Sequence, residues 1–271
     1  MSIKDIKSEN QIFTRVPNVF IYSNPKEFNK KIILTYIYLD QNRTLSNVVN
    51  YSLYDLIQSN GYVCNGKAVS IIKQFKSSLE FLYDNSMIEF ITPYKNIKGN
   101  FISKIQLLDN FDCCENFTQI TKHEIDTLIQ NSRNQDRSIL FSIYLYIKSF
   151  MFQRPLTFDG EEYDNAKDKP VAFWGTYRTI EEKLGYAKNT ITSYLNQFVE
   201  IGLLQKYETG SYPIYRNSKQ IYINAPNIYV LNNENADQEI QWALDRLKQI
   251  HRVDKFSPMI NKKNKNNKGE N

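Results

Sequence analysis

Cysteine and histidine are nearly absent from this chain, with three and two copies in 271 residues. Cys64 stands alone, and the adjacent Cys113 and Cys114 lack the spaced cysteine or histidine partners that a tetrahedral zinc site requires. The sequence therefore offers no metal site, no structural disulfide and no cofactor site. With only His123 and His251, histidine-based nucleophilic or metal catalysis is poorly supplied. Glycine is scarce too. The nine present form no phosphate-cradling loop, and there is no HExxH and no nucleophile elbow. Among acidic pairs, Glu161 and Glu162 fall in a stretch without basic or histidine partners, and Glu181 and Glu182 lie on the outer face of a helix; neither pair makes a site. A DNA-nicking enzyme needs a histidine cluster beside a tyrosine nucleophile, and the nineteen tyrosines come without that cluster. The expectation is a protein that is not an enzyme. No apolar run approaches the about 20 residues of a membrane span. The opening MSIKDIKSEN has no hydrophobic signal region, so a cytoplasmic location without a membrane partner is expected.

What the chain does have is charge, aromatic side chains and helical periodicity. Its length allows one large or two ordinary domains. The net charge is +5, but Lys255 to Asn271 holds five lysines and one glutamate, which is +4 and leaves about +1 for residues 1–254. This tail is poor in apolar residues and is expected to be disordered over 255–271, adding sequence-independent, salt-sensitive affinity for a polyanion or serving as a solubilising end. Residues 1–12 are expected to be flexible. Any specific nucleic-acid binding must then come from a locally basic face of the body.

The clearest stretch is Tyr177 to Leu204, YRTIEEKLGYAKNTITSYLNQFVEIGLL. Thr179 with Glu182 reads as a capping box, Gly185 stops the first helix, and a second helix starts near Lys188. Ile191, Leu195, Phe198 and Val199 recur at helical spacing and predict a buried stripe. Asn189, Thr192, Ser193 and Asn196 then share the free face. These short, uncharged, polar side chains suit hydrogen bonding to base edges in a major groove, and Lys188 is placed for a phosphate or a guanine. The alternating runs QKYETGSYPIYR and KQIYINAPNIYVL predict a hairpin, with Arg216 and Lys219 available for phosphates.

The first half follows the same plan. A strand broken at Pro17 leads into a helix over about 26–41, and Val48 to Tyr51 form a small strand. Ser52 with Asp55 caps a short helix, Asn60 and Gly61 turn the chain, and a long helix runs from Lys67 to Asn85. Ile72, Phe75, Leu79 and Leu82 are its apolar stripe. Lys67, Lys73 and Lys76 lie on its polar face, where plain solvation is the alternative to a role. The runs MIEFITPY and FISKIQLL predict a hairpin, with Lys95 and Lys98 suited to phosphates. Phe75, Leu79, Leu82 and Ile88 match Ile191, Leu195, Phe198 and Leu204 at one constant offset of 116. The fold class expected is α+β, with two tandem helix-turn-helix-plus-hairpin domains over 13–110 and 115–232. RPLTFDGEEYDNAKDKP, Arg154 to Pro170, reads as an inserted polar loop, and an amphipathic helix is expected over 237–253, docked on its own domain or serving a dimer contact.

Tyr177 to Leu204, through TIEEKLG, NTITSYL and IGLL, resembles the winged-helix domains of bacterial regulators and replication proteins. Ala187 departs from the Ser or Thr cap common there. Phe13 to Gln41 resembles the opening of RepA-like replication initiators of plasmids and phages and of primosomal DnaD-like proteins. Two such domains in tandem resemble plasmid initiators that bind repeated origin sites. The resemblance implies double-stranded DNA as partner, a homodimer, contact with a replicative helicase or its loader, base reading by Lys188 to Asn196 and phosphate contact by the two hairpins. A primosome or helicase-loader interaction module and a winged-helix transcriptional regulator remain the alternatives.

Overall fold

The computed structural model describes residues 13–23, 29–64, 69–97, 99–112, 116–132, 136–151 and 172–259. The protein is a mixed α+β fold whose described residues fall into two compact units. The first comprises the chain up to Ser149 together with Glu181–Ala187, and the second comprises Phe150–Ile180 with the chain from Lys188 onward. Among the described residues, no helix is long and apolar enough to cross a membrane.

The first unit opens with β1 (Phe13–Pro17), a one-turn helix α1 (Asn18–Tyr22) and α2 (Lys31–Gln41). The expected start near Lys26 is too early, since 29–30 are not helical. Along α2 every side chain from Lys31 to Ile37 is buried, as befits a helix apolar around most of its circumference. Tyr36 stacks on Phe111 with ring centroids 4.2 Å apart and donates its hydroxyl to the Phe111 carbonyl at 2.7 Å, so the ring is buried with its polar end satisfied. Then come β2 (Val48–Tyr51), α3 (Leu53–Ser59), α4 (Val69–Asp84), β3 (Ile88–Phe90), β4 (Ser103–Leu107) and the short α5 (Asp109–Asp112). Ser52 caps α3 as expected, accepting from the Asp55 amide at 3.0 Å. The three strands are antiparallel in the order β2-β4-β3. On α4, Phe75, Leu79 and Leu82 are fully buried, each contributing about 1.5–3 kcal/mol by leaving water.

β5 (Phe117–Thr121), α6 (Lys122–Asn131) and α7 (Arg137–Ser149) also belong to this unit, which runs past the 110–115 boundary read from the sequence. β5 pairs antiparallel with β1 from Phe13↔Thr121 to Pro17↔Phe117, and α7 packs on α2 and α1. β1 and β5 thus satisfy backbone groups that each alone would leave open. Arg15 lies over the Phe117 ring at 5.0 Å.

Among the described residues of this unit, two buried lysines pair with carboxylates. Lys31 Nζ reaches Asp136 Oδ1 at 2.8 Å, the Tyr62 hydroxyl at 2.7 Å and Ser138 Oγ at 3.0 Å. Lys148 Nζ lies 2.6 Å from both carboxylate oxygens of Glu124, which also accepts from the Tyr144 hydroxyl at 2.6 Å and the Thr121 amide at 2.7 Å. Burial alone would raise the Glu124 carboxyl, but the Lys148 charge and these donors hold it below the usual carboxylate range.

From Phe173 the chain runs through a short strand position, two helices and four strands, with the second half of the first helix, Glu181–Leu184, counted in the first unit. Phe173 exchanges two backbone hydrogen bonds of 2.8 Å with Tyr229. The helices α8 (Tyr177–Leu184) and α9 (Lys188–Glu200) follow, then β6 (Leu204–Tyr207), β7 (Ser211–Arg216), β8 (Lys219–Asn224) and β9 (Ile228–Leu231). β6 pairs with β9 and β7 with β8, so the order is Phe173-β9-β6, again with the last strand in the middle. α10 (Ala236–His251) docks on β9, with Ala243 and Leu247 buried against Ala172, Ile228 and Val230 and the Trp174 and Trp242 rings alongside. That is the docked arrangement, although Ile250 stays 60% exposed.

The expected loose tail is corrected at its start. Ser257 forms a backbone bridge to Ser211 with hydrogen bonds of 2.7 and 2.8 Å, and Phe256 packs edge-on to Tyr212. Gly210, at φ +103°, permits the approach, because a Cβ there would lie 2.3 Å from the Ser257 carbonyl oxygen. Residues 1–12, 154–170 and 260–271, where a flexible start, an inserted loop and the rest of the tail were expected, lie outside the described residues, as do Cys113 and Cys114.

Candidate nucleic-acid interface

The candidate interface is assembled on α9 and the β7–β8 hairpin, both in the second unit. α8 is capped one turn earlier than the sequence suggests. Thr176 Oγ1, not Thr179, accepts from the Thr179 amide at 3.1 Å, and the two threonine hydroxyls meet at 2.9 Å, so Thr179 takes the third helical position. Gly185, at φ +70°, ends α8 with its amide on the Glu181 carbonyl at 2.8 Å. α9 then starts at Lys188, as expected, despite the alanine before it.

α9 buries Ile191, Tyr194, Leu195, Gln197 and Phe198. That leaves Lys188, Asn189, Ser193 and Asn196 exposed on the other side, with Thr192 half-buried among them. The structure thus brings these five sequence-predicted residues onto one face. Asn189, Ser193 and Asn196 make no side-chain hydrogen bond with a described residue, so their donors and acceptors are free for a ligand. Thr192 is partly committed, its hydroxyl donating to the Lys188 carbonyl at 2.9 Å. The Lys188 ammonium rests 6.0 Å from the centre of the Tyr177 ring, a weak contact at the limit of cation–π attraction. No carboxylate stands on α9 before Glu200.

The hairpin adds positive charge. Arg216 and Lys219 are cross-strand partners flanking Asn217 and Ser218, whose φ angles of 51° and 60° make the tight turn that matches strand twist. Both cations are exposed, and Ser211 to Asn224 contains no acid. The base of the hairpin is held by Tyr212, which stacks on His251 at 3.9 Å. Sequence reasoning missed Tyr215 and Tyr222, 77% and 45% exposed on the same hairpin. Exposed aromatics in an alternating strand were the available signal.

The corresponding face of the first unit is different in kind. At the offset of 116, Lys73, Lys76, Ser77 and Glu80 stand where α9 has Asn189, Thr192, Ser193 and Asn196. Lys73 is exposed and Lys76 half-buried. Glu80 accepts a hydrogen bond from Tyr94, in the 3-10 turn Tyr94–Asn96 that also carries the exposed Lys95; burial and then Glu80 raise the Tyr94 hydroxyl's pKa. This face has two cations and a committed acid rather than free amides. Lys67 and Lys98 lie outside the described residues. Among the described residues, no group of three or more His, Cys, Asp or Glu side chains could hold a metal ion.

Comparison with family models, with curated proteins and with solved structures finds no match, so the chemistry of this face is the ground on which its role is argued.

Proposed function

We propose that this chain is a sequence-specific double-stranded-DNA-binding protein built on two winged helices, and that it initiates replication at repeated sites on a plasmid or other mobile element. It acts by binding and not as an enzyme. One observation carries the reading: α9 presents an exposed row of uncommitted amide and hydroxyl groups, without a carboxylate, beside a lysine and in the same unit as a cationic hairpin tip. The free amides supply base-edge contacts, and Lys188, Arg216 and Lys219 supply phosphate contacts that position the helix. Two further observations support the fold named here. In each unit two helices separate the first strand position of a sheet from its remaining strands, and the last strand lies in the middle, β2-β4-β3 and Phe173-β9-β6. Along the chain, the long helix that follows is preceded each time by a short helix and a positive-φ glycine, Gly61 before α4 and Gly185 before α9.

A second reading assigns the first unit to protein contact, as in a primosome or helicase-loader module or at a dimer interface. It is favoured by Ile91, Phe101 and Ile102, which are 52%, 69% and 70% exposed around the first hairpin. A gel shift and footprint on the DNA flanking the gene separates the readings. Protection of several direct repeats supports an initiator, protection of a single operator supports a transcriptional regulator, and no shift on any fragment supports the protein-contact module.

A further inference from the structure

The α9 face is selective in the hydrogen-bonding groups that it offers. We infer that α9 reads two adenines about three base pairs apart in the major groove, so that its ligand is an A·T-rich duplex; this rests on α9 being the base-contacting helix.

A carboxamide presents an acceptor and a donor side by side, and adenine presents the complementary N6–H donor and N7 acceptor on its major-groove edge. Asn189 and Asn196 are the two carboxamides exposed on this face, and neither is engaged by a described residue. They are seven residues apart, nearly two turns, so they lie on one side of the helix about 10.5 Å apart. Successive base pairs rise about 3.4 Å, which sets the two contacts about three steps apart for a helix lying along the groove.

The other bases find less here. Guanine is read best by a bidentate arginine, and α9 has none. Its single cation, Lys188, stands at the helix start, where it can meet a phosphate or one guanine beyond the two adenines. Cytosine is read by a carboxylate, which is absent before Glu200. Thr192, half-buried and with its hydroxyl proton given to the Lys188 carbonyl, adds no donor to this row.

The test is selection of the intact protein on a random duplex library, followed by fluorescence anisotropy on the selected duplex with single adenines replaced by 7-deazaadenine, which lacks the N7 acceptor. The expected motif holds two adenines three base pairs apart. Replacing either adenine should weaken binding about tenfold or more. The same replacement should cost nothing further in whichever of Asn189→Ala or Asn196→Ala has already lost that contact. Both positions are exposed, and a far-UV circular dichroism spectrum like that of the parent establishes that the variants fold. A preferred motif with G·C pairs at those positions, or indifference to 7-deazaadenine, overturns the adenine assignment while leaving DNA reading by α9 intact. A library that returns no preferred sequence overturns both.

Discussion

Replacing Lys148 with methionine should be among the most damaging single changes in the first unit. The Lys148 and Glu124 side chains are 3% and 11% exposed and 2.6 Å apart, so neither charge has water to fall back on. Methionine keeps much of the length and apolar contact of the lysine stem, so the loss is electrostatic. The Glu124 carboxylate retains donors from Tyr144 and Thr121 but loses its countercharge. Breaking a buried pair from one side costs about 3–5 kcal/mol, against a total stability of roughly 5–15 kcal/mol. The double variant Lys148→Met with Glu124→Gln removes both charges from the interior and should recover most of that loss, because the desolvation cost disappears with them. Urea denaturation followed by far-UV circular dichroism reads the result. Both tryptophans, Trp174 and Trp242, lie in the second unit, so their fluorescence reports separately on that unit and should be nearly unchanged. A cost below about 1 kcal/mol for Lys148→Met, or a double variant as unstable as the sum of the singles, would refute the reasoning.

Leu195→Ala, at a fully buried position of α9, should cost the second unit about 2–5 kcal/mol by tryptophan-detected denaturation, and a neutral result would mean that α9 does not carry the core stripe. Arg216→Ala with Lys219→Ala should weaken binding equally on all duplexes and reduce the slope of log affinity against log salt by about 0.9 per lost phosphate contact; an unchanged slope would take the hairpin tip off the DNA. Asp136 sets an acid limit: burial alone would raise its carboxyl, but the charge and hydrogen bond of Lys31, with Ser138 and Tyr62, hold it at about 2, below 3.8. Because the folded value lies below the unfolded one, this stabilisation is full above about pH 4 and is lost as the pH falls toward about 2. Asp136→Asn should therefore lower the thermal midpoint at neutral pH and flatten its fall over that range, whereas parallel curves for variant and parent would contradict the assignment.

The sequence carried local features well and distant pairings poorly. Ile191, Leu195 and Phe198 of the α9 stripe, the Gly185 stop, the strand Val48–Tyr51 and the Ser52 cap are all set by residues within a few positions of one another and stand where periodicity and capping chemistry place them, while Val199, expected in that stripe, is half-buried. The cap of α8 read from the sequence, Thr179 with Glu182, is displaced by Thr176 one turn earlier, a residue of the same capping chemistry. The pairing of β1 with β5 joins segments about a hundred residues apart, and neither strand shows in the sequence that it needs the other. The burial of Lys31 and Lys148 is likewise beyond periodicity, since their carboxylate partners lie 105 and 24 residues away. The Lys- and Asn-rich tail masked Phe256 and Ser257, which the hairpin holds. On the candidate interface the side chains were legible because they share one helix; their freedom from other partners was not.

The central claim, that α9 reads bases, is tested most directly by titrating the parent protein and the double variant Asn189→Ala with Asn196→Ala onto a selected duplex and onto a scrambled duplex of the same length and salt. Removal of the two carboxamides should cost about 1–3 kcal/mol per lost bidentate contact on the selected duplex and nothing on the scrambled one, where phosphate contacts alone hold the protein. An equal loss on both duplexes, or no loss on either, would contradict it.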